Sequence, residues 1–179
     1  VVFLICYLRI DWVKAARPGG GSLRLSAVGA DGKRLSLSPA SVRLPAGMDE
    51  FKYKVRVKAP RKWDAEHPNL YELTLSLQDA QGRVTQTLTR SYGFREVEVR
   101  GKRMYVNGQE VKFRGFWGGD SPEQLRALNV NHTRQKWVTE SYLDRADAAG
   151  LYVLDENSID FAKLGAEGVA AGLEQACHV

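Results

Sequence analysis

A chain of 179 residues, 44% hydrophobic and 26% charged, is of ordinary globular make-up and has room for one domain, or one and part of a second. The net charge of +5 is unevenly spread: residues 1–119 hold 21 Lys and Arg against 11 Asp and Glu, residues 120–179 hold 5 against 10. The apolar run Val1 to Leu8 is far short of the ~20 residues needed to cross a bilayer, and it has no basic flank or small-residue cleavage site, so no membrane partner is expected and the run is not read as a signal peptide, while an export signal clipped from upstream stays open.

Position 1 is not Met, so the sequence reads as a processed chain or a piece of a longer one. Val2 to Trp12 is rich in β-forming residues and reads as a buried strand. After Pro18-Gly19-Gly20-Gly21, Leu23, Leu25 and Ala27 alternate with polar residues, and Asp31-Gly32 marks a hairpin turn. Leu35 and Leu37, then Val42 and Leu44, continue the alternation. From Phe51 to Val57 the apolar residues alternate with Lys52, Lys54, Arg56 and Lys58. Charge at period two opposite an apolar face is the pattern of a solvated sheet face; a docking surface for an acidic neighbouring domain is the other reading, and nucleic acid is not expected. Tyr71, Leu73, Leu75 and Leu77 form the clearest strand, and Gln81-Gly82 turns the chain into Val84 to Thr89. About seven short strands separated by turns predict an immunoglobulin-like antiparallel β-sandwich over residues 1–95.

Beyond residue 95 the pattern changes. Arg100-Gly101-Lys102 and Asn107-Gly108 are tight turns, and Val111 to Gly115 reads as a strand. Ser121-Pro122-Glu123-Gln124 carries a helix start, with Ser as cap, Pro at the first helical position and Gln completing a capping box; Leu125 and Leu128 supply its apolar side. Asn131 to Arg134 reads as a strand, and Ser141 to Ala149 as a helix capped by Thr139 and ended by Gly150. Leu151 to Glu156 is a further strand, and the tail from Phe161 a helix weakened by glycines. Alternating strands and helices imply a parallel sheet, so residues 96–179 are expected to hold about three β/α units.

The order Trp63, Pro68-Asn69-Leu70-Tyr71, Ser91-Tyr92-Gly93-Phe94-Arg95, Val106-Asn107-Gly108-Gln109, Phe113-Arg114-Gly115 resembles glycoside hydrolase family 2. That family comprises β-galactosidases, β-glucuronidases and β-mannosidases. The resemblance implies an immunoglobulin-like domain running into a (β/α)8 barrel, of which residues 96–179 would be the incomplete N-terminal part, three units where eight are needed; it also implies a retaining mechanism with two carboxylates and a carbohydrate substrate in the full-length enzyme. It also places both reacting glutamates after later barrel strands, so no residue of this segment is expected to be catalytic. Arg134, which ends the second barrel strand, matches the family's arginine that steadies the nucleophile's carboxylate. Trp137 could offer a ring face to a sugar, and Asp160 matches an acidic site ligand of the β-galactosidase branch; Glu156 is expected to be structural. The sequence departs from that branch at Phe116-Trp117-Gly118-Gly119-Asp120, Lys136-Trp137 and Ala162, which puts galactosidase specificity in doubt. No cofactor or metal is expected: the three histidines lack metal spacing, and Cys6 and Cys177 stand far apart in sequence. A non-catalytic sandwich module that binds carbohydrate or a protein partner is the alternative, and the compartment stays open.

Overall fold

The computed structural model describes residues 5–13, 20–46, 50–118, 121–136 and 138–156, with backbone alone for 5–13 and 50–53. The expected tail helix, Trp137 and Asp160 lie outside these residues. Two compact units divide the chain, Val1–Val111 and Lys112–Val179.

The first unit is a β-sandwich. One sheet holds β1 (Ile5–Val13), β5 (Glu50–Lys58) and β3 (Leu37–Ser38), in the order β1-β5-β3; the other holds β4 (Ser41–Leu44), β2 (Gly21–Gly29), β6 (Tyr71–Asp79) and β7 (Val84–Tyr92), in the order β4-β2-β6-β7. All pairings are antiparallel. The period-two alternation sets the core directly. Leu23, Leu25 and Ala27 face Leu77, Leu75 and Leu73 across the β2–β6 ladder, and all six are buried. Val55, from the opposite sheet, closes onto them. Each such leucine or valine contributes about 1.5–3 kcal/mol of transfer free energy.

A second cluster joins Val57, Tyr71 and Phe94 and extends into a knot around Trp63. This indole is 1% exposed, and Trp63 N–H donates to the Phe94 carbonyl at 2.7 Å. Phe94 makes edge-on contacts with Tyr71 and Tyr92, and the Arg95 guanidinium lies 5.0 Å over the Trp63 ring. The proline-bounded loop is thereby an anchored element, despite having no ladder of its own.

The hairpin β8 (Val97–Arg100), β9 (Arg103–Val106) and β10 (Gln109–Glu110) forms a third sheet, ordered β10-β9-β8. A boundary at 95/96 would group it with the following residues, but it clusters with the first unit. Asn107 supplies the reason. In the left-handed region at φ 54°, it exchanges N–H···O bonds with Glu96 through its backbone and side chain. Its Nδ2 also donates to the Trp63 carbonyl at 2.9 Å. The turn that closes the hairpin is thus tied to the sandwich's anchored loop.

The second unit is built of β11 (Gly115–Trp117), α1 (Pro122–Ala127), β12 (His132–Lys136), α2 (Glu140–Ala149) and β13 (Tyr152–Glu156). Its strands are parallel and in chain order, β11-β12-β13. Both helix starts follow the expected chemistry: Ser121 and Gln124 form a reciprocal capping box, Thr139 Oγ1 accepts from Tyr142 N–H, and Gly150 ends α2 in the left-handed conformation. Leu125, Ala146 and Leu151 make the core, with Val130, Tyr142 and Val153 against it. Leu128 departs from expectation. The helix stops at Ala127, and Leu128, now the cap, is 75% exposed.

The Trp63 seat generates a test. A Cβ added at Gly93 would lie 2.8 Å from Trp63 Cβ and 2.9 Å from its Cγ, closer than packed carbons tolerate. Gly93→Ala is expected to lower stability by about 1–3 kcal/mol through overpacking, and Trp63→Ala by about 3–5 kcal/mol through the cavity left. Urea midpoints read both, and a parental midpoint for Gly93→Ala would contradict this close approach.

Candidate functional site

The strand expected over Val111 to Gly115 starts later, at Gly115, and the cause is Asn131. This buried residue turns every polar group toward backbone. Its N–H donates to the Arg114 carbonyl at 3.1 Å and its carbonyl accepts from Tyr152 N–H at 2.9 Å. Its side-chain Oδ1 accepts from Arg114 N–H at 2.7 Å, and Nδ2 donates to the Lys112 carbonyl at 3.0 Å. A side-chain amide stands in for the ladder bonds that residues 112–114 would otherwise make. The lead-in to β11 and the starts of β12 and β13 are locked together at one end of the sheet.

The two faces of this sheet differ. Phe116, Thr133 and Val153 share one register row; Thr133 is fully buried and Val153 packs on the helix core. On the other face Trp117, Arg134 and Leu154 form a row. Trp117 is 71% exposed and Leu154 53%. Gln135, back on the helix side, fixes the end of β11. Its Nε2 donates to the Gly118 carbonyl, and to Tyr142 Oη at 3.1 Å. An exposed indole is therefore carried on backbone held from behind.

Arg134, the residue singled out from sequence, lies on the open face. Its Nε stands 2.7 Å from Glu156 Oε2, and Lys136 Nζ is 3.8 Å from Glu156 Oε1. Oε2 is shut off from solvent and has no well-directed hydrogen bond, so the contact is an ion pair of poor hydrogen-bond angle. Arg134 first, then Lys136, holds the Glu156 carboxyl below its ordinary range against the opposing effect of desolvation. A general acid needs its pKa raised, so Glu156 is suited to fixing Arg134 and not to acting as a general acid. Burial alone pushes the His132 ring toward its neutral form. Trp137 and Asp160, the other two sequence candidates, fall outside the described residues, which contain no cluster of three or more metal-ligating side chains.

Trp117 and Asn131 were not candidates from sequence. Trp117 had one signal, its place two residues after Gly115 in the run Arg114-Gly115-Phe116-Trp117. Asn131 had none, because its partners lie 17 and 19 residues away.

Two outcomes follow from these contacts. Asn131→Ala strands the Arg114 N–H and the Lys112 carbonyl, and is expected to cost the second unit about 1–3 kcal/mol per orphaned group that water cannot reach, read as lost amide-exchange protection around Gly115. Separately, Arg145 grips Glu123 by two hydrogen bonds, 2.9 and 2.6 Å, tying α2 to α1. Arg145 holds the Glu123 carboxyl down to about 2 from 4.5. A depressed carboxyl stabilises the fold above its unfolded value and loses that contribution as pH falls through the folded one. Between pH 4.5 and about 2 the parent chain should therefore lose more stability than Glu123→Gln. Parallel pH curves would refute the coupling.

Comparison with known proteins shows what the chain is similar to. Residues 14–95 match the profile described as Glycosyl hydrolases family 2. A β-galactosidase of Aeromonas hydrophila is 37% identical over 114 residues, 53% of this chain and 11% of the relative. One from Kluyveromyces lactis is 29% identical over 130 residues, 63% and 13% of the two chains. The chain thus spans about an eighth of these relatives' length. Among solved structures, a glycosyl hydrolase family 2 member from Bacteroides cellulosilyticus superposes with TM-score 0.73 at 19% identity, over 97% of this chain and 29% of that one. A Parabacteroides merdae β-glucuronidase does so with TM-score 0.68 at 17% identity, over 84% and 23%. At such identities the structural likeness is one of fold. The sequence matches and the shared fold agree: residues 14–95 carry the glycoside hydrolase family 2 profile, and the chain is similar to proteins of that family.

Proposed function

We propose that this chain is the immunoglobulin-like domain and the first third of the (β/α)8 barrel of a retaining glycoside hydrolase acting on β-glycosides, with the reacting carboxylates supplied by later barrel strands. The observation that carries the barrel reading is the parallel order β11-β12-β13 with its helix core on one face. Consecutive parallel strands joined by right-handed crossovers keep all their helices on the same side, as a closed barrel requires. The opposite face, with Trp117, Arg134 and Leu154, is the one a barrel would turn inward. Residues at the C-terminal strand ends then line the site.

In this reading Arg134 is a wall of the site. Glu156 engages its Nε, and the terminal nitrogens of a guanidinium carry four further N–H donors suited to a second carboxylate. Glu156 sets the guanidinium, and Arg134 steadies the nucleophile that forms the glycosyl-enzyme intermediate. Trp137 and Asp160 are placed by the same reading near the sugar. The pair of carboxylates would stand about 5–5.5 Å apart, as retention demands. Carbohydrate is the substrate, and the rest of the barrel is the partner this segment needs.

The test uses chromogenic β-galactosides and β-glucuronides. The 179-residue chain alone is expected to show no turnover, and measurable turnover would put a catalytic pair inside it. Exchanged for the corresponding segment of the Kluyveromyces lactis β-galactosidase, it is expected to support hydrolysis. In that chimera Arg134→Ala should lower kcat by about 10²–10³ with a smaller change in KM, the scale for losing a positioned charge-stabilising group. A folded, active chimera indifferent to Arg134→Ala would remove Arg134 from the site.

A further inference from the structure

Two structural demands meet in the dipeptide Asn107-Gly108. Between β9 and β10 the chain reverses in two residues, with Asn107 at φ 54° and Gly108 at φ 81°. Positive φ at both positions is the hairpin turn that favours Asn or Asp first and Gly second. The tie to Trp63 narrows the first choice. Asn107 Oδ1 accepts from Glu96 N–H at 3.1 Å and Nδ2 donates to the Trp63 carbonyl at 2.9 Å, so the side chain must both accept and donate, and a carboxylate only accepts. Of the five asparagines in the sequence, Asn107 is the one followed by glycine.

That pair has a chemistry of its own. The backbone nitrogen after an asparagine can attack the side-chain Cγ and close a five-membered succinimide, and glycine hinders the attack least because it has no Cβ. The space at Gly108 is open as well, since a Cβ built there would meet nothing within 4 Å. In the folded hairpin, however, the Asn107 amide is gripped at both of its polar atoms, and its backbone N–H donates to the Glu96 carbonyl at 2.9 Å. Ring closure expels Nδ2, so it cannot be completed while Nδ2 stays on the Trp63 carbonyl. The fold thus requires a labile pair and, by the same contacts, holds it unreacted.

We propose that Asn107-Gly108 is a self-modification site, kept in its amide form by the Trp63 tie and converted when the hairpin lifts from the anchored loop, with water as co-reactant. The Gly108 nitrogen gives its proton to solvent base and bonds to Asn107 Cγ. The Cγ–Nδ2 bond breaks, and the nitrogen takes up a proton and leaves as ammonia. Water then opens the succinimide at either carbonyl, giving aspartate or isoaspartate. One water is consumed and one ammonia released, and nothing is oxidised or reduced. Neither product remakes the tie. Aspartate sets a carboxylate oxygen against the Trp63 carbonyl, and isoaspartate adds a backbone atom to a turn of two residues. Opening of the hairpin is thereby recorded irreversibly in the chain.

The 179-residue chain is incubated at mildly alkaline pH, folded and in urea, and the tryptic peptide from Met104 to Lys112 is followed by mass spectrometry for exchange of the amide for an acid. Deamidation is expected to be about tenfold or more slower in the folded chain, since reaction waits on an opening that breaks several hydrogen bonds. As urea is raised below the midpoint, deamidation and amide exchange at Glu96 N–H should accelerate together. Asn107→Asp keeps a residue that tolerates the left-handed conformation and replaces the Nδ2 donor by an acceptor, so its urea midpoint is expected to fall below the parental one. Equal deamidation rates in the folded and unfolded chains would mean that the tie protects nothing. An unreactive peptide in the unfolded chain would remove the site, deamidation that stays slow while Glu96 N–H exchanges freely would place the protection elsewhere, and a parental midpoint for Asn107→Asp would make the product harmless to the tie. Each of these results overturns the proposal.

Discussion

A single side-chain amide holds the second unit in register. Asn131 has two backbone and two side-chain polar groups, and backbone atoms of Lys112, Arg114 and Tyr152 satisfy all of them. Inside a protein an unmatched amide group costs more than a matched one gains, so the residue acts as a constraint more than as a glue. Either the three strand starts assemble around it or its buried groups go unpaired. Everything on the open face inherits that alignment. Trp117, Arg134 and Leu154 share a row because their strands begin level at Asn131.

The first unit shows the same logic with an apolar centre. Trp63 has no strand to belong to, and its burial depends on contacts from three directions: Phe94 through the backbone, Arg95 across the ring face, and Asn107 through its amide. Gly93 is the residue type that the close approach to this indole requires. A fold that needs a particular neighbour at each of these positions leaves a recognisable order of residues along the chain, and Trp63, Gly93-Phe94-Arg95 and Val106-Asn107-Gly108 are among the residues that carry the family resemblance.

What could be read from sequence, and what could not, divides by the range of the interaction. The β2 and β6 cores were legible because alternation is a local property: Leu23 and Leu75 declare their face through their immediate neighbours. Helix caps are also local, and Ser121-Gln124, Thr139 and Gly150 all behave as their types predict. The start of β11 was not legible, since a side chain 17 residues downstream replaces its ladder bonds. Nor was the partner of Arg134. Glu156 sits two residues beyond its register mate Leu154, and such a diagonal pair exists only once the parallel register is set. Leu128 was misread by periodicity, which has no means of registering where a helix stops.

The tie between Asn107 and Trp63 bears on how such a protein can be taken apart or recombined. A sandwich is ordinarily thought of as exchangeable at the end of its last strand, here Tyr92. Cutting there would remove the residues that close over Trp63 and leave a large indole and its carbonyl facing water. The portable module is therefore the sandwich together with its hairpin, Val1–Val111. Evolutionary shuffling or laboratory grafting that respects this longer unit carries the seal along with the part it protects.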